Sequence, residues 1–197
     1  MTLLFINGCV RGECSRTLAL AQHFIRSYRE KHPETTVQTA DLNALRLYPM
    51  FEDTLRCRDA AIGHWDGPMF APAREFRDAD MIVLAAPFWE GTFPSAVHTY
   101  LEHICVTGLT FDCTEKGYVG LCHAKKAVFV TTRGGIYESG PSAQDDHAEE
   151  YLGSILHMLG IPELHTLAAE GLDIAGADTE AILSSARQKA ENLAAAL

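Results

Sequence analysis

A chain of 197 residues, 47% hydrophobic and 21% charged, carries enough apolar material for one ordinary globular domain with a full core. Its formal net charge of −10, with no basic run beyond Lys125-Lys126, argues against nucleic acid as a partner. Six cysteines, at 9, 14, 57, 105, 113 and 122, form no C-x-x-C or metal-finger spacing, and no apolar run approaches the ~18 residues of a membrane span, so the expectation is a cytoplasmic protein with reduced thiols, no metal and no membrane segment.

The apolar lead from Met1 to Cys9 lacks the basic start of a signal peptide and is too short for one. Residues 3–6 read as a short buried strand. From Thr17, apolar residues at Leu18, Ala21, Phe24, Ile25 and Tyr28 have helical spacing, with Ser15 placed to cap the helix and Pro33 to end the segment. Val37 to Leu42 reads as a second strand. Residues 43–70 mix Pro49, Gly63, Gly67 and Pro68 with aromatics and read as a long connection with one short helix, a length more often functional than idle.

Ala73 to Arg77 is predicted helical and Met81 to Ala86 a buried strand. Pro94 opens a helix with Val97, Tyr100, Leu101 and Ile104 on one face. Ala127 to Thr132 reads as a strand and Asp145 to Leu159 as a helix stopped by Gly160. Glu163 to Ala169 makes a last strand and Ala177 to Leu197 an Ala-rich helix. The alternation of strand and helix, with strands apolar throughout, predicts a single α/β domain over residues 1–197. Its five-stranded parallel sheet, in order 2-1-3-4-5, is covered on both faces.

In such a sheet a ligand sits beyond the carboxyl ends of the strands, where the strand order reverses. The loops there read "NGCVRGECSRT", "APFWEGTFP" and "TTRGGIYESGP", rich in glycine, hydroxyls and aromatics. The first runs into a helix N-terminus, whose free N–H groups and dipole favour an anion, and Ser15, Thr17, Arg11 and Arg16 add donors and charge. A phosphate is the expected occupant, and a plain helix cap with two solvated arginines is the alternative. Phe88 and Trp89 after the third strand suit a flat ring. Gly134-Gly135 after the fourth lets backbone approach a ligand closely. Phosphate, ring and polar ring edge are the parts of flavin mononucleotide (FMN).

At these loops the chain resembles the FMN-dependent NADH-azoreductase and quinone-reductase family, of flavodoxin-like three-layer fold. The matching pieces are Ala86-Pro87, Gly108-Leu109-Thr110-Phe111, Glu115-Lys116-Gly117, Gly120-Leu121, Lys125-Lys126-Ala127, Thr132-Arg133-Gly134-Gly135-Ile136 and "YLGSILHMLGI". The resemblance implies that Ser15, Arg16 and Thr17 hold the phosphate and that Cys9 stands where a hydroxyl usually also serves it. It implies that Pro87, Phe88, Trp89, Glu90 and Gly91 bind the ring, and that Thr132, Arg133, Gly134 and Gly135 follow its polar edge. It implies a homodimer that takes hydride from NADH or NADPH and passes it to a small-molecule quinone or azo acceptor, with no protein nucleophile. Glu90 replaces the family's Asn with an acceptor-only side chain, and Gly91 replaces an aromatic and is expected to open space beside the ring.

The same first loop also resembles the low-molecular-weight phosphotyrosine phosphatase pattern C-x5-R-[ST], with Cys9 as nucleophile. Six residues separate Cys9 from Arg16, one too many for that tight cradle, and the chain has no Asp-Pro pair to supply the general acid. A flavodoxin-type electron carrier or flavin sensor is the other alternative, distinguished by lack of nicotinamide oxidation.

Overall fold

The computed structural model describes residues 1–197. The strands of the main sheet are β1 (Thr2–Asn7), β2 (Thr36–Asp41), β3 (Met81–Ala85), β6 (Lys126–Thr132) and β7 (Glu163–Ala169), while β4 (Phe111–Thr114) and β5 (Gly117–Gly120) form a separate hairpin. The helices are α1 (Arg16–Lys31), α2 (Leu42–Leu45), α3 (Glu52–Ala60), α4 (Ala71–Asp78), α5 (Ser95–Ile104), α6 (Ala148–Met158) and α7 (Thr179–Ala196). The main sheet is parallel throughout, in the order β2-β1-β3-β6-β7. This is the expected 2-1-3-4-5 order, renumbered because the hairpin takes two strand numbers.

Alternation along each strand builds two cores. Leu4, Ile6, Ile82, Leu84 and Phe129 face α4, α5 and α6, where Phe76, Tyr100, Leu101 and Leu156 meet them. Leu3, Phe5, Val83, Val128 and Val130 face α1 and α7, where Phe24, Ile25, Tyr28, Ala186 and Ala190 meet them. The buried stripe of α7 that packs against α1 is Ala186, Ala190 and Ala194, with Ile182, Leu183 and Leu193 packed beside it. Each large apolar side chain so buried contributes about 1.5–3 kcal/mol.

The long connection is more ordered than its composition predicts. It holds α2, α3 and a 3-10 turn at Pro68–Phe70, rather than one short helix. Its second half folds over a small separate core of Phe70, Ala73, Val106 and Leu109, with Trp65 edge-on to Phe70 at 5.1 Å. The hairpin β4-β5 was not visible as strands, because Asp112, Cys113, Thr114 and Tyr118 are exposed and lack an alternating apolar face. It is held instead by backbone: a Cβ on Gly120 would lie 2.0 Å from the nitrogen of Gly160.

Candidate functional site

β1 ends at Asn7, level with Ala85 of β3. The chain leaves the strand at Gly8, whose N–H donates to the Ala85 carbonyl at 2.8 Å. A Cβ there would lie 2.5 Å from Val97 Cγ2, so only glycine lets the loop pass so close to α5. Asn7 Oδ1 then accepts the N–H of Cys9 at 3.1 Å. After a 3-10 turn at Gly12–Cys14, Ser15 caps α1 as expected, its Oγ accepting from the N–H of Leu18 at 3.2 Å. The N–H groups of Arg16 and Thr17 are left without an acceptor in the chain.

Arg11, Cys14, Ser15, Arg16 and Thr17 form one wall of a crevice, and Pro87, Phe88, Trp89, Thr132, Gly134 and Asp173 complete it. The walls are tied together by a buried hydroxyl contact of 2.6 Å between Thr17 Oγ1 and Thr132 Oγ1. Phe88 is braced from behind: its N–H donates to the Thr132 carbonyl at 3.1 Å, and its ring centre lies 4.3 Å from that of Tyr137. A larger cleft of about 560 Å³ backs onto Arg133 and Tyr137 along β7 and α7 but includes no residue of the α1 N-terminus.

Trp89 and Thr92 exchange backbone hydrogen bonds of 3.1 and 2.8 Å across a two-residue turn. Both central residues have positive φ, 51° at Glu90 and 80° at Gly91, as a type I′ turn requires. Glycine and asparagine suit those positions, and glutamate does not. Two expectations change here. Glu90 is exposed and outside the crevice lining. Gly91 does not open space beside a ring: a Cβ on it would meet the Asp145 carbonyl at 3.1 Å, and its own carbonyl accepts the His147 N–H at 2.9 Å. Under the turn, His98 Nε2 lies 3.1 Å from Thr92 Oγ1, and burial holds its pKa below the usual histidine value.

Arg133 is also corrected. Its backbone follows the glycine segment, but its side chain turns away and is buried at 3% exposure. There the guanidinium pairs with Asp146 and Glu170, each at 2.6 Å, and lies 5.5 Å from the Phe88 ring centre. Glu170 Oε1 also accepts the N–H groups of Tyr137 and Glu138 at 3.2 and 3.1 Å. Arg133 therefore positions the loop and does not reach into the crevice. Cys9 is corrected too: it is fully buried, its Sγ 3.6 Å from the Ala85 carbonyl, and burial pushes the thiol up to about 11. It offers the crevice no hydroxyl-like contact and cannot act as a thiolate nucleophile near neutral pH, so the phosphatase reading fails on geometry as well as on spacing.

Sequence reasoning missed Asp173. It lies in the loop after β7, and its Oδ1 pairs with Arg16 Nη2 at 2.9 Å. The glycines in "EGLDIAG" were the available signal, since that loop ends a strand at the same edge of the sheet.

A family model described as "flavodoxin-like fold" matches residues 1–194. The FMN-dependent NADH:quinone oxidoreductase 2 of Clostridium acetobutylicum is 38% identical over 98% of this chain and 97% of its own. The chain belongs to the flavodoxin-like FMN-dependent NADH:quinone oxidoreductase family. A second relative, the FMN-dependent NADH:quinone oxidoreductase of Caldicellulosiruptor saccharolyticus, is 36% identical with the same coverage of 98% and 97%. Among solved structures, an azoreductase from Bacillus anthracis superposes with a TM-score of 0.89 at 28% identity, each chain covered in full.

The crevice suits the cofactor that the family's name implies. Its donor set of Arg11, two hydroxyls and two unpartnered N–H groups at a long helix's N-terminus, with Arg16 held alongside by Asp173, fits a phosphate. Phe88 and Trp89 offer aromatic faces, and Gly134 brings bare backbone to the same space.

Proposed function

We propose that this protein is an FMN-dependent NAD(P)H oxidoreductase that reduces quinones or azo compounds. The observation that carries this reading is the convergence, in one crevice at the β1–β3 switch point, of an anion-binding helix start, an aromatic wall and a glycine edge. The full-length relatives named for this chemistry support it.

Arg11, Thr17 and the backbone N–H groups of Arg16 and Thr17 would hold the phosphate, with Ser15 acting chiefly as the cap that keeps those N–H groups pointed outward. Pro87, Phe88 and Trp89 would bind the ring, and Thr132, Gly134 and Gly135 would follow its polar edge. When bound, FMN supplies hydride acceptance and donation, which no side chain here can supply. The chain's own residues bind, orient and exclude water. Phe88 is fixed by Tyr137 and Arg133, so the ring wall is set before any ligand arrives. Substrate and nicotinamide would both approach past Trp89, which is 40% exposed.

The reading also takes the chain to work as one FMN-binding domain, as a homodimer in the cytoplasm. Six free cysteines fit a reducing compartment. No helix is long and apolar enough to cross a membrane. Exposed Tyr48 and Phe51 offer apolar surface for a second subunit.

The test is spectroscopic. Protein mixed with FMN and desalted should retain the flavin absorbance, lose it on addition of NADH or NADPH under anaerobic conditions, and regain it with a quinone. Retained flavin that no nicotinamide bleaches would instead describe an electron carrier, and loss of flavin on desalting would remove the reading. Light scattering on the eluted protein reports the dimer.

A further inference from the structure

The loop after β7 reaches into the crevice by three backbone bonds to the glycine segment. The N–H of Gly171 donates to Gly135 at 2.8 Å, that of Leu172 to Arg133 at 3.2 Å and that of Asp173 to Gly134 at 3.0 Å. Arg16 fastens it from the other side: Nη2 reaches Asp173 Oδ1 at 2.9 Å and Nη1 the Leu172 carbonyl at 3.4 Å. Asp173 therefore bridges the gap between the α1 wall and the glycine segment. Its Oδ1 is engaged, while Oδ2 makes no hydrogen bond within the chain, is open to the crevice and solvent on a side chain 66% exposed, and lies 2.7 Å from where a Cβ on Gly134 would stand.

A carboxylate only accepts hydrogen bonds and repels anions. In a crevice that otherwise gathers positive charge and N–H donors, the oxygen that Arg16 does not engage is suited to a ligand's own donors. Between the phosphate and the ring of FMN those donors are the hydroxyls of the ribityl chain. We propose that Asp173 is a cofactor-specificity residue that accepts hydrogen bonds from this polyol chain. The proposal rests on the crevice being the FMN site. The competing role, a counter-ion that merely occupies Arg16, predicts the opposite outcome, because removing it would free Arg16 for the phosphate and tighten FMN.

The test is flavin titration of the full-length chain stripped of flavin, read by fluorescence quenching, with FMN, riboflavin and lumiflavin. Riboflavin keeps the polyol without the phosphate, and lumiflavin has a methyl group in place of both. Asp173→Ala should weaken riboflavin by about tenfold or more, as loss of a hydrogen bond to a charged group does. Lumiflavin affinity should stay within about twofold of wild type, which a merely structural role for Asp173 would not allow. FMN should lose less than riboflavin, because the freed Arg16 partly compensates. Asp173→Asn keeps an acceptor oxygen, should lose less than the alanine variant, and carries the test if that variant does not fold. Riboflavin binding that is unchanged or tighter, or an equal loss with lumiflavin, overturns the proposal while leaving the FMN site standing. A wild-type chain that binds none of the three flavins removes both.

Discussion

The Arg133 cluster makes the sharpest prediction about what holds the site in shape. The guanidinium is buried between two carboxylates whose side chains are 11% and 12% exposed. Arg133→Met leaves two buried anions without their cation, a change that costs about 3–5 kcal/mol in comparable settings. Part of that is cushioned. Glu170 keeps the N–H groups of Tyr137 and Glu138, and Asp146 Oδ1 keeps the N–H of Ala148 at 3.0 Å. The wild-type pairing is also imperfect, since Arg133 Nε finds no acceptor and Nη2, though 2.6 Å from Asp146 Oδ2, does not meet it in hydrogen-bond geometry. The lower end, about 3 kcal/mol, is therefore expected, which for a chain of this size lowers Tm by roughly 6–12 °C. Thermal unfolding by circular dichroism measures it. Asp146→Asn should couple to Arg133→Met by about 1 kcal/mol or more in a double-mutant cycle, because the two share one interaction. A Tm loss under about 2 °C, or strict additivity in the cycle, would refute the claim that this cluster anchors the loop.

Three further outcomes follow from other parts of the structure. Glu90→Asn should raise stability by about 0.5–1 kcal/mol by relieving the left-handed backbone of the turn, seen as a Tm gain; a loss would show that Glu90 makes a compensating contact. Tyr100→Phe should leave stability unchanged or raise it by about 1 kcal/mol in urea unfolding, because the Tyr100 hydroxyl is buried without a partner; a loss of similar size would reveal a bond to it. Iodoacetamide at pH 8 should label Cys14, Cys57 and Cys113 in the folded protein and spare Cys9 and Cys122, which are buried and whose thiols burial pushes up to about 11 and about 12, so that neither forms thiolate until far more alkaline pH. Mass spectrometry that finds Cys9 modified first would contradict its placement.

What could be read in advance follows from where the physics is local. Strands such as Met81–Ala85 and the cap at Ser15 depend on neighbours in sequence, so apolar runs and one hydroxyl announced them. The crevice was visible as three loops because sheet topology dictates where they gather. Side-chain directions were not. Arg133 and Gly134 are adjacent, yet one faces the buried carboxylates and the other the crevice, a choice made by Glu170 some 37 positions later. Cys9 is drawn beneath its loop into the core that the sheet shares with α1 and α7, its Sγ beside the Ala85 carbonyl of β3. Glu90 and Gly91 sit in their turn because the loop before α6 receives them, a contact between segments that no spacing encodes.

The hydroxyl pair of Thr17 and Thr132 has a consequence for how the crevice meets charge. Two hydroxyls carry two hydrogens, and their 2.6 Å contact uses only one. The other has no acceptor in the chain, and both residues line the crevice. One O–H is therefore always free to turn toward a guest, and either threonine can provide it by reversing the direction of the shared bond. The wall can thus offer one hydroxyl donor from either side chain by rotating two O–H bonds, without moving a backbone atom.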